Sequence, residues 1–200
     1  MTQLKDFLYL KLTEEEYRAV LEYVDTHLPM EWVHKYDAGE FGPLSDKKMN
    51  NNTVGVLGEC ALAKYEGKPV AQTLAERPVR VSDAGWDITI GDYTYDIKTL
   101  QSVIRPNTAF RYNVKKSTID KEKVNDGFIW IAMIRPVDRL AVPFYWLVMG
   151  WMFKDEFLKK ATLHRKGERS SAKNEWVFSS DTYDITARRL HPYKDIPRMT

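Results

Sequence analysis

The 200-residue chain has a single cysteine, Cys60, so no intramolecular disulfide framework can form, and a reducing compartment is expected. Histidine is nearly as scarce. His27, His34, His164 and His191 are scattered without metal-ligand spacing, which argues against a histidine-built metal centre. Strong charge of either sign is missing too. The net charge is +2, so a nucleic-acid partner would have to be held by a local patch, not by the charge of the whole chain. The longest apolar stretch, "LAVPFYWLVMGWMF", is interrupted by Pro143 and is too short to span a bilayer. No segment reads as a signal peptide, repeat or low-complexity tract, so a soluble, cytoplasmic protein is expected.

What remains is 44% hydrophobic content, enough for one full-sized core, and a single domain over residues 1–200 is expected. Residues 13–28 have the stripe Tyr17, Val20, Leu21, Val24 and Leu28, with Thr13 and Glu16 as a capping box, and read as an amphipathic helix. Residues 29–52 read as an irregular loop or flap. Residues 127–134, "GFIWIAMI", suit a strand buried on both faces. A second strand is expected over 144–151 and a short helix over 154–161. "EWVFSS" reads as one more strand, and "DITARRLHPYKDIP" as irregular. The pattern predicts a mixed α/β sheet flanked by helices.

The most informative stretch is "GWDITIGDYTYDIKT", residues 85–99. Gly91-Asp92 is a two-residue hairpin signal between period-2 segments, with glycine where a type II′ turn wants it. That loop fixes the register: Ile90 faces Tyr93, Thr89 faces Thr94, Ile88 faces Tyr95 and Asp87 faces Asp96. Alternation then gives an apolar face of Trp86, Ile88, Ile90, Tyr93, Tyr95 and Ile97. The other face carries Asp87, Thr89, Thr94, Asp96 and Lys98. Directly opposed like charges destabilise a strand pair, their Cβ atoms lying about 4.5–5.5 Å apart. A divalent cation between them reverses the sign of that interaction, and oxygen ligands are what Mg²⁺ and Mn²⁺ prefer. The plain alternative is a hairpin with a solvated polar face on which Lys98 neutralises the aspartates.

Residues 53–67, "TVGVLGECALAKYEG", read as a buried helix capped by Thr53 or Asn52 and ended by Gly67. Small or apolar residues occupy almost every side, and Glu59 is the acid in the middle, where an unpaired carboxylate is costly. Gly55 and Gly58 weaken the helix by about 1 kcal/mol each, which suggests close approach of another backbone. Alternatively, Glu59 is partly exposed or pairs with Lys64 or Lys68.

With "GECALAKY", "GWDI" and "YDIKT" in this order, the chain resembles the PD-(D/E)xK, or restriction-endonuclease-like, nuclease superfamily. The resemblance is clear over 53–100 and compatible to about residue 160; "WD" stands where the family has "PD". It implies a restriction-endonuclease-like core over about 53–160, with an N-terminal helical addition (1–50) and a C-terminal one (161–200). It implies catalytic roles for Glu59, Asp87, Asp96 and Lys98. Mg²⁺ or Mn²⁺ would be held by the three acids and the carbonyl of Ile97, and Lys98 would act on the attacking water. The implied activity is a Mg²⁺-dependent deoxyribonuclease of endonuclease type. Many members dimerise to cut both strands, so a homodimer is among the expected assemblies. The layout also looks like small nuclease-like proteins of phages and mobile elements, which would place it inside the host cell.

Downstream, "RPNTAFRYNVKKSTIDKEK" interleaves Arg105, Arg111, Lys115 and Lys116 with Phe110 and Tyr112, a pattern that can bind phosphates and stack on bases. It also suits a solvated helix or loop. "HRKGER" (164–169) and Arg188-Arg189 are further basic candidates. The competing reading of the whole is a non-catalytic, inhibitor-like binder of nucleic acid or protein on the same fold.

Overall fold

In the computed structural model, residues 7–27, 51–77, 86–102, 105–120, 125–134, 145–169 and 177–198 are described. Of the loop or flap expected over 29–52, residues 29–50 lie outside them and Asn51 and Asn52 are helical; Glu175 and Trp176 also lie outside, and the rest of "EWVFSS" is not the expected strand, since only Val177 makes a β-bridge, to Arg169.

The chain runs β1 (Leu8–Leu10), α1 (Glu14–His27), α2 (Asn51–Tyr65), α3 (Val70–Glu76), β2 (Ile88–Ile90) and β3 (Tyr93–Ser102). It continues with β4 (Arg111–Lys115), α4 (Lys116–Asp120), β5 (Gly127–Ile134), β6 (Tyr145–Phe153), α5 (Lys154–Lys160), β7 (Thr162–His164) and β8 (Thr182–Thr186). Two short 3₁₀ turns close it, Ala187–Arg189 and Tyr193–Asp195. The main sheet is mixed, in order β1-β6-β5-β3-β2, with only β3 and β5 parallel. A second sheet is antiparallel, β4-β8-β7.

The centre of the main sheet is dictated by composition. Every residue of β5 is buried, and so are seven of the nine in β6, because the sheet is covered on both sides. One face carries Tyr95, Ile97, Ile129, Ile131, Met133, Trp146 and Val148, and packs against α1 and α2. The other carries Phe128, Trp130, Ala132, Leu147 and Met149, and packs against Tyr112, Val114 and Ile185 of the small sheet and Phe157 of α5. Trp146 and Trp151 therefore belong to the core and cannot form an exposed dimer surface.

Helix α1 begins with the expected capping box. The Glu16 backbone N–H donates to Thr13 Oγ1 at 3.2 Å, and the Thr13 N–H donates to Glu16 Oε2 at 2.7 Å. Helix α2 starts at Asn51, two residues before the expected Thr53, so Asn52 and Thr53 sit inside its first turn. It ends as expected: Gly67 takes φ +89°, and the N–H groups of Gly67 and Lys68 close on the carbonyls of Lys64 and Ala63.

Three features differ from the expectation. "TYDIT" (182–186), which overlaps the start of the stretch read as irregular, is strand β8, and "RYNVK" is strand β4 with alternate residues buried. The segments expected as additions are woven into the layers: β1 is an edge strand of the main sheet, and β7 and β8 are two-thirds of the small one. Trp86 and Tyr93, assigned to an apolar core face, are 40% and 38% exposed because β2 is a three-residue strand with, among the described residues, no strand outside it. Among the described residues, no helix is long and apolar enough to cross a membrane.

Helix α2 lies unusually close to β3. A Cβ added at Gly58 would sit 1.9 Å from Thr99 Oγ1, and at Gly55 the nearest atom would be Glu59 Oε1 at 3.8 Å. Gly58→Ala should therefore cost roughly 1–3 kcal/mol in urea unfolding, with part recovered in the double variant Gly58→Ala/Thr99→Ala. Gly55→Ala should be close to neutral or stabilising.

Candidate active site

Three of the four derived hairpin pairs are observed, and the fourth, Asp87 opposite Asp96, is not part of the ladder. Ile88 pairs with Tyr95, Thr89 with Thr94 and Ile90 with Tyr93, and Gly91 takes the positive φ (+59°) that the turn needs. The ladder ends there. One residue further out, the Asp87 N–H still reaches the Tyr95 carbonyl at 2.9 Å. Its side chain then does what backbone would otherwise do: Asp87 Oδ2 accepts the Ile97 N–H at 2.6 Å. Along a strand the N–H and C=O of one residue point to the same edge. The Ile97 carbonyl is thus turned to the open edge of β3, beyond the end of β2.

Asp96 is only 3% exposed. Its neighbours in register are Phe128, and for Lys98, Trp130, so both side chains lie on the face covered by the small sheet. Lys98 Nζ donates to Asp96 Oδ1 at 2.8 Å. It also approaches Oδ2 to 2.6 Å, but off the hydrogen-bonding line, leaving that buried oxygen without a donor. Burial and the neighbouring Asp96 charge push the Asp87 carboxyl up to about 7, and a hydrogen bond to Asp96 favours the proton further. Two carboxyl groups here are short of positive charge by about one proton.

Glu59 stands on α2, which packs against the opposite face of the sheet. Its carboxylate is held by Arg77, just past the end of α3, and neither of the lysines considered from sequence is its partner. Lys64 bonds Glu16 at 2.6 Å instead, and Lys68 pairs with Glu76. Glu59, Asp87 and Asp96 do not close into one cage: among the described residues no three acid, histidine or cysteine side chains do. The fit to a hard divalent ion rests on fewer groups. Asp87, the unsatisfied Oδ2 of Asp96 and the edge-facing Ile97 carbonyl are an all-oxygen set, and Mg²⁺ commonly takes one or two carboxylates with water completing the shell.

Beside these groups opens a cleft of about 270 Å³, lined by Asn51 and Gly55 of α2, Ile97 to Leu100 of β3, and Arg111 to Asn113 of β4. It straddles the open edge of β3, where the two layers meet. Arg111 is fixed there: its Nε donates to Asp184 Oδ2 at 2.6 Å and a second guanidinium nitrogen reaches the same oxygen. Of the other basic candidates, Arg105 hydrogen-bonds the Tyr9 hydroxyl and stacks over its ring, Lys116 pairs with Asp120, and Lys115 is exposed on β4. Lys121 and Lys123 lie outside the described residues. Tyr112 is 3% exposed and packs inward on Trp130, so it cannot stack on a base. Cys60 is fully buried, and burial pushes its thiol up to about 12, which makes it packing and not a nucleophile.

Arg77 and Asp184 were not anticipated. No spacing links Arg77 to Glu59, and no local pattern links Asp184 to Arg111, 73 residues away. The chain matches no protein-family model, no curated protein and no solved structure.

The raised Asp87 carboxyl has a pH signature. In the folded state it keeps its proton up to about 7, against an ordinary value of 3.8. Its contribution is fully present below pH 4 and is lost as pH rises to about 7. With EDTA present, wild type should lose a few kcal/mol between pH 4.5 and 7.5 relative to Asp87→Asn, as read by urea unfolding. Parallel pH dependences of the two proteins would refute the paired-carboxyl arrangement.

Proposed function

We propose that the chain is a metal-dependent phosphodiesterase with a restriction-endonuclease-like core, hydrolysing nucleic acid, with DNA as the expected substrate. The observation that carries this reading is the abutting pair Asp87 and Asp96 at the open edge of β3, with Lys98 two residues on and an unsatisfied carboxylate oxygen between them. Buried like charges are costly. The mixed sheet with α2 laid across β3 supports the same reading.

Asp87, Asp96 and the Ile97 carbonyl would hold Mg²⁺ or Mn²⁺, with Glu59 joining from α2. The ion supplies Lewis acidity toward the scissile phosphate and lowers the pKa of bound water. Asp96 keeps the Lys98 ammonium at the rim of the cleft, where it orients the attacking water and offsets negative charge that grows during reaction. Asp87 also fixes the strand edge through the Ile97 N–H, so the Ile97 carbonyl is aimed before any ligand arrives. Arg111 and Asn113 on the opposite wall would receive the flanking phosphates.

The Glu59–Arg77 pair favours one competing reading, a non-catalytic binder in which Glu59 is structural. Cleavage of labelled DNA and RNA, with Mg²⁺ or Mn²⁺ and with EDTA, separates the two. Metal-dependent cutting should fall at least 100-fold in Lys98→Ala and vanish in Asp96→Ala, while the metal-free melting temperature of Asp96→Ala holds or rises. Undiminished cleavage by Asp96→Ala would sink the mechanism. Arg77→Ala should tighten Mn²⁺ binding measured by calorimetry, since the ion then has Glu59 to itself. Equal affinities would leave Glu59 to the structural role.

A further inference from the structure

A second, smaller cleft of about 130 Å³ lies on the outer face of the small sheet. Its walls include Arg111, Thr162, Asp184, Arg188 and Arg189. Arg111 therefore belongs to both clefts, and the two are neighbours along one surface that starts at Lys98. The small sheet explains why. Arg111, Asn113 and Lys115 alternate with the buried Tyr112 and Val114, so every outward position of β4 is polar and two of those three side chains line the larger cleft. Strand β8 brings Asp184 up beside Asn113, and the chain then turns directly into Arg188 and Arg189.

The charge along this surface is of one sign where solvent reaches it. Lys98, Arg111, Arg188 and Arg189 line it, and the one acid of either wall among the described residues, Asp184, is 5% exposed and bonded to Arg111. Asp184 works as an anchor: it fixes Nε and one terminal nitrogen of Arg111 and leaves the rest of the planar fork for a ligand. Arg189 is pinned as well, through Nη1 to the Lys160 carbonyl at 2.7 Å. Arg188 has no carboxylate partner among the described residues. Clefts lined by cations on low-dielectric walls focus potential on a polyanion.

We propose that these two clefts form one track for a single-stranded polynucleotide, which runs from the Lys98 end over Arg111 to Arg188 and Arg189. This deepens the phosphodiesterase reading and rests on it for what happens at the Lys98 end. The single strand is favoured by size. At about 270 Å³ the larger cleft falls at the bottom of the range that encloses one small molecule, so it takes a nucleotide unit and not the width of a duplex. The track has two phosphate-binding stations, Lys98 with Arg111 and Arg111 with Arg188, and a strand must span both.

The test is binding in EDTA, where no cutting competes. Anisotropy of a labelled 20-mer as single-stranded DNA, single-stranded RNA and duplex DNA would be followed against salt for wild type, Arg188→Glu and Arg188→Lys. Arg188 is exposed and its backbone alone is used in the fold, so these variants should fold where Arg111→Ala, which strands a buried carboxylate, need not. Single strands should bind more tightly than duplex. Arg188→Glu should weaken them roughly tenfold at low salt and reduce the slope of log affinity against log salt by about 0.7, with Arg188→Lys close to wild type. Tighter binding to duplex, no binding by wild type, or an Arg188→Glu protein with unchanged affinity and slope would each overturn the track. The two ideas fail separately. Arg188-dependent binding without Mg²⁺-dependent cutting refutes the nuclease alone, and cutting with binding indifferent to Arg188 refutes the track alone.

Discussion

The hydrogen bond from the Ile97 N–H to Asp87 is the point on which the rest of the candidate site depends. A hairpin that continued its ladder past Ile88 and Tyr95 would cover this edge of β3 with backbone. Here β2 stops, a carboxyl group takes the place of a carbonyl, and β3 runs on to Ser102 paired with β5 on one side and, among the described residues, with no strand on the other. An open edge is a liability unless something covers or uses it. In this fold α2 and β4 flank it from either side without closing over it, and the gap between them is the larger cleft.

That arrangement sets the electrostatics. Asp96 points into the layer between the two sheets, beside Phe128, where an isolated charge is expensive. Lys98 offsets part of the cost, and a proton held on Asp87 offsets more. On the far side Glu59 is balanced by Arg77. Each acid thus has its own balancing group: a proton on Asp87, the Lys98 ammonium on Asp96 and the Arg77 guanidinium on Glu59.

The parts of this that were legible in the sequence are those set by local rules. Gly91-Asp92 fixed a two-residue turn, and a two-residue turn leaves one register. The capping box at Thr13 and Glu16, the helix end at Gly67 and the uniformly buried β5 followed from the same kind of rule. The face assigned to Asp96 was also right, but its environment was not deducible. Its burial comes from β4 and β8, which are far apart in sequence and pair only through the tertiary fold. The "DITARR" stretch looked irregular because an aspartate in mid-strand and an arginine pair just after it outweigh three strand-favouring residues. Asp184 earns its position by a cross-strand bond to Arg111 that one-dimensional patterning does not reveal.

The same comparison explains why Glu59 is the acid whose role is least fixed by geometry. Asp87 and Asp96 are two ends of one hairpin, so their separation is set by a turn of two residues. Glu59 arrives on a different element, across the sheet, and its distance from them depends on how closely α2 packs on β3. Gly58 against Thr99 brings that packing near its limit. Arg77, which pairs with Glu59, stands on the chain between α3 and Asp87, so the partner of the acid on α2 comes from the same connection that delivers the first acid of the hairpin.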